Sequence, residues 1–91
     1  MEAKFIQALE KSRIQATALG VRIRPVEGVE QAHRILSGHK ESDGFSHLAR
    51  LGRLDLSLEA LAVKKQYTAL FSDEEANNAL VRLIDAGYTF L

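Results

Sequence analysis

The sequence predicts a mainly α protein: a compact bundle of about five short helices in a single domain, residues 1–91, with room for one short extended segment near residues 21–24. Three observations carry this. Apolar residues recur at three- and four-residue steps in several stretches. Glycines stand where those stretches end, and serine or aspartate where they begin. A chain of 91 residues, 46% hydrophobic and 26% charged, suits one modest globular core.

The first helical segment runs from Glu2 to Leu19. Phe5, Leu9, Ser12, Ala16 and Leu19 form its main stripe, with Met1 and Ala8 beside them. Gly20 supplies a left-handed stop. Ile6 and Ile14 lie off that stripe, with Ala3 and Ala18 near them, and make a second, weaker apolar strip. Two readings are open for it: another helix packs there, or it is a partner surface.

GVRIRPVEG follows, residues 20–28. Val21 and Ile23 alternate with Arg22 and Arg24 until Pro25 interrupts. A lone strand cannot satisfy its own hydrogen-bonding groups. The stretch is therefore an extended connection or an edge that pairs with another chain. Arg22 and Arg24 project from one side, where they are either solvated or hold a phosphate or an acidic partner.

Residues 29–36 predict a short helix, supported by Glu30 and Arg34 one turn apart and stopped by Ser37-Gly38. The polar loop HKESDG comes next. Ser42 or Asp43 is the expected cap of a helix carrying Phe45, Leu48, Ala49 and Leu51, which Gly52 ends. LDLS opens the following helix, capped by Asp55 or Ser57. Leu56, Ala60, Val63 and Tyr67 share one of its sides, and Leu58, Leu61 and Ala62 the other. A helix apolar on two sides belongs between neighbours, so this one is expected at the centre of the core.

FSDEEANNALVRLIDAGYTFL closes the chain. Ser72 and Glu75 form an S-x-x-E capping box, and Asp73 and Glu74 add negative charge where the helix dipole favours it. The expected core stripe is Ala76, Leu80, Leu83 and Ile84. Asn77, Asn78, Val81 and Asp85 are expected outside, with Gly87 as the stop and Tyr88 folding back.

Chemistry is sparse. There is no cysteine, which excludes disulfides and thiolate zinc sites. No phosphate-loop, dinucleotide, H-E-x-x-H or G-x-S-x-G motif occurs. His33, His39 and His47 fit no metal-ligand spacing, so no metal and no cofactor is expected. Ser46 and His47, near Asp43, diverge by about 100° on a helix and cannot form a triad with it. The chain is expected not to be an enzyme.

Net charge is zero but unevenly placed. Residues 1–40 hold seven Lys/Arg against four acids, and residues 41–91 hold five against eight. A nucleic-acid binder shows a basic excess that the whole chain lacks. The segments from Phe45 to Tyr67 have helix-turn-helix spacing. However, the would-be recognition helix opens on Leu56, Ser57, Leu58, Glu59, Ala60 and Leu61, a core composition with an acid where phosphates would lie. No apolar run approaches the ~18 residues of a membrane helix, and MEAKFIQALEK lacks a signal-peptide core. A cytoplasmic protein with no membrane association is expected.

The segment from Ser42 to Tyr88, with GRLDLSLEALAV followed by a tyrosine, LFS and paired glutamates, resembles segments found in or beside zeta-toxin-like kinases of proteobacterial mobile elements. One such group pairs a type III secreted kinase effector with a small chaperone-like antitoxin of about this size. The phosphate-binding loop of the kinase is missing here, so the resemblance implies the small partner. That partner binds the toxin and masks its nucleotide or substrate site. The likeness lies in caps and leucines and carries over no contact residue.

The reading is a non-catalytic interaction protein, an antitoxin or chaperone-like inhibitor of a kinase-type toxin. Ile6, Ile14, Arg22 and Arg24 are its candidate partner-binding residues. The alternatives are a small DNA-binding regulator and a phage or plasmid inhibitor of another host protein.

Overall fold

A computed structural model describes residues 1–88; the last three residues of the expected domain lie outside the described residues. The chain forms α1 (Glu2–Ala18), α2 (Val29–Ser37), α3 (Phe45–Arg50), a 3₁₀ segment (Leu54–Leu56), α4 (Leu58–Ala62), a second 3₁₀ segment (Lys65–Leu70) and α5 (Asp73–Asp85). No strand forms among the described residues. Residues 21–24 carry no regular secondary structure.

α1 buries Phe5, Leu9, Ser12 and Ala16 along one line, as its periodicity predicts. Leu19 and Met1 depart from that expectation: they are 44% and 60% exposed. Leu19 is the last residue before the chain turns away, so the stripe has no neighbour left to pack on. α1, α3 and α5 end in the same way. The amide of Val21 bonds back to the Ala16 carbonyl, that of Arg53 to Leu48 and that of Tyr88 to Leu83, each at 2.9 Å. These six-to-one bonds, just past Gly20, Gly52 and Gly87, satisfy carbonyls that the helix leaves unpaired.

The helix predicted from LDLS to Tyr67 is real only at its centre. It breaks into the two 3₁₀ segments around a five-residue α4, because Ser57 before it and Lys64 after it turn extended, at ψ 157° and 140°. The break brings the Tyr67 and Phe71 rings both onto Phe5, at centroid distances of 5.1 and 5.0 Å. Every residue of α4 is buried. Leu58, Leu61 and Ala62 join Phe5, Leu36 and Ala79 in one half of the core. Ala60 joins Ala16, Phe45, Leu48 and Leu83 in the other. α4 is therefore the central element, as predicted. Truncating a fully buried ring such as Phe5 costs about 3–5 kcal/mol.

α5 carries the predicted capping box. The Glu75 amide donates to Ser72 Oγ at 3.1 Å, and the Ser72 amide donates to Glu75 Oε1 at 2.8 Å. Its buried line, however, is Glu75, Ala79 and Leu83. Ile84, assigned to the core stripe, is 62% exposed. Asn78, assigned outside, turns inward and donates to the Leu36 carbonyl at 3.0 Å. The helix is rotated because its inner face carries polar groups that have partners on α2.

Two local expectations fail for the same reason. Ser42 and Asp43 do not cap α3, whose N-cap is Gly44. Ser42 bonds to Glu59, and Asp43 Oδ2 accepts the Arg24 amide at 2.7 Å. Gly44 sits at φ +77°, and a Cβ there would stand 2.7 Å from Ile23 Cγ1. Only glycine meets both demands at once. Glu30 and Arg34 make no ion pair among the described residues.

Candidate functional site

A buried polar network fixes the loop between α2 and α3. Glu59, on α4, is fully buried. Its carboxylate accepts the Ser42 amide at 2.8 Å, the Ser42 hydroxyl and Arg82 Nη1 at 3.3 Å. Arg82 reaches from α5 and also donates to the Ile35, Leu36 and Gly38 carbonyls. Together with Asn78 it donates to carbonyls at the end of α2, which have no donors of their own within the helix. Among the described residues, no buried side-chain nitrogen or oxygen is left unpaired.

A second bridge joins α2 to the start of α5. His33 Nδ1 lies 2.7 Å from Glu75 Oε2, and its ring packs 5.2 Å from that of Phe71. Burial pushes the Glu75 carboxyl up, but the Ser72 amide and His33 outweigh it and hold the group below the usual carboxylate range. Glu75 as a carboxylate can only accept, so Nδ1 carries the proton of this bond.

The loop so fixed separates two hollows. A cleft of about 530 Å³ lies between α1, the 23–26 segment and residues 40–43. Leu9, Ile23, Val26, Ile35, Leu56 and Leu58 line it with apolar surface, and Arg13, Arg24 and Lys40 stand among its charged residues. Glu10, also lining it, is held by Arg13 in an ion pair one turn along α1. A wider, more polar groove of about 1070 Å³ lies on the other side of the loop, toward α3 and α5. Lys40, Glu41, Ser42 and Asp43 line both.

The predicted partner-binding residues separate in this geometry. Arg24 lines the apolar cleft. Ile14 is 58% exposed, one turn after the Glu10 that borders the cleft. Ile6 is half-buried and packs on the core, so it belongs to the fold. Arg22 is exposed and away from the cleft lining. The three histidines do not converge: His33 bridges to Glu75, and no group of three or more candidate metal-ligating side chains occurs among the described residues. Sequence reading missed Glu59, Arg82 and Ser42. Only one signal for them existed, an acid standing inside the apolar run Leu56–Ala62.

α4 has no exposed face with which to enter a nucleic-acid groove. Among the described residues, no helix is long and apolar enough to cross a membrane. No protein-family model matches the sequence, and neither a curated protein nor a solved structure matches the chain.

Proposed function

We propose that the chain is a non-catalytic interaction protein, an antitoxin or chaperone-like inhibitor that binds a kinase-type toxin and masks its nucleotide or substrate site. The observation that carries the interaction reading is the apolar-floored cleft, with the exposed Ile14 one turn beyond the Glu10 at its border. Concave apolar surface with a few polar groups at its edge is what an anchoring side chain of a partner fills. Glu59, Glu75, His33 and Ser42 are each engaged in holding the fold. The kinase identity of the partner rests on the resemblance of residues 42–88.

The test is capture of partners from an extract of the source organism, with the wild-type chain and with Ile14→Asp. One stoichiometric protein carrying a kinase phosphate loop, lost with Ile14→Asp, supports the proposal. Equal capture by the variant removes this surface as the interface, and capture of nucleic acid alone removes the proposal.

A further inference from the structure

We infer that the outer face of α1 docks an acidic amphipathic helix of the protein partner, which places its apolar residue against Ile14 and its carboxylates against Lys4 and Lys11. This rests on the interaction reading above and names the chemistry of the partner. Opposite the buried line of α1 runs an exposed stripe of Lys4, Gln7, Lys11, Ile14 and Ala18. The two acids of the helix lie off it: Glu2 stands at its start, and Glu10 sits on the flank, paired with Arg13. Neither lysine has an ion-pair partner among the described residues. Arg22, just beyond the helix, is exposed and likewise unpaired among them.

Lys4 and Lys11 are seven residues apart, two helical turns or about 10 Å. A helix laid along α1 presents carboxylates at the same two-turn spacing. Ile14, 58% exposed, supplies the apolar contact such a helix needs. The charge asymmetry of the sequence agrees, since residues 1–40 carry the excess of three positive charges. A nucleic-acid backbone would meet the same lysines. It offers nothing apolar to Ile14. The observations therefore favour an acidic protein segment.

A photo-crosslinking residue at Gln7, inside the stripe, and another at Asn77, on the outside of α5, test this in an extract of the source organism at low salt. The Gln7 position is expected to crosslink to a partner segment with excess Asp and Glu at helical spacing. Lys4→Glu with Lys11→Glu is expected to slow association with that partner about tenfold and to flatten its salt dependence, with an unchanged urea midpoint. Lys64→Glu with Lys65→Glu is the control and leaves both unchanged. A partner crosslinked only from Asn77, a segment lacking acids, or nucleic acid at Gln7 overturns the inference. The first two outcomes leave the interaction reading standing. No partner from either position overturns both.

Discussion

Replacing Arg82 by alanine removes the cation facing Glu59 and leaves that carboxylate fully buried with only Ser42 as a partner. Breaking one side of a buried pair costs about 3–5 kcal/mol, because the remaining charge is uncompensated. The Gly38 and Leu36 carbonyls also lose a donor, though these losses overlap with the first and do not simply add. A domain of this size has about 5–10 kcal/mol in total. With a urea slope of about 1.5 kcal/mol per molar, a loss of ~4 kcal/mol lowers the midpoint by roughly 2–3 M. Urea unfolding followed by circular dichroism reads this directly. Glu59→Gln and the double variant complete the cycle, with a coupling of at least about 1 kcal/mol expected. A midpoint shift under about 0.5 M for Arg82→Ala, or additivity within ~0.3 kcal/mol, would refute the claim that this pair holds the loop to α4.

Gly44→Ala should destabilise by about 2–4 kcal/mol, from the left-handed backbone and the Cβ contact with Ile23 together. Gly20→Ala shares the left-handed backbone but meets nothing within 4 Å, and should cost only about 1–2 kcal/mol in the same assay. Ser72→Ala removes the cap of α5 and should cost about 1 kcal/mol by thermal unfolding. Glu75 has a lowered folded carboxyl pKa, so its contribution is present above the unfolded value and is lost as pH falls through the folded one. The urea midpoint should therefore drop on acidification below the ordinary glutamate range near pH 4, and Glu75→Gln should reduce that drop.

Local signals were legible and long-range ones were not. The capping box of Ser72 and Glu75 spans three residues, and its chemistry is complete within them. The buried line of α1 needed only its own periodicity. The rotation of α5 was hidden because a polarity pattern places Glu75 and Asn78 outside. Their partners, His33 and the Leu36 carbonyl, lie 42 residues away. Ser42 and Asp43 looked like caps for the same reason: each bonds across 17 or 19 residues instead. The break after α4 seats the Tyr67 and Phe71 rings on Phe5, a contact no window of local sequence contains. Of the candidate surface, Ile14 and Arg24 were visible as residues off the core pattern, while the cleft is built from residues of α1, the 23–26 segment and the 40–43 loop that only the fold brings together.

The most direct test of the central claim is the catalytic activity of the captured partner, assayed with and without this chain. Stoichiometric addition of the protein is expected to abolish phosphoryl transfer by the kinase-type partner, and Ile14→Asp at the same concentration is expected to leave that activity intact. A partner that binds yet transfers phosphate at its full rate, or one that is inhibited equally by Ile14→Asp, would contradict the account.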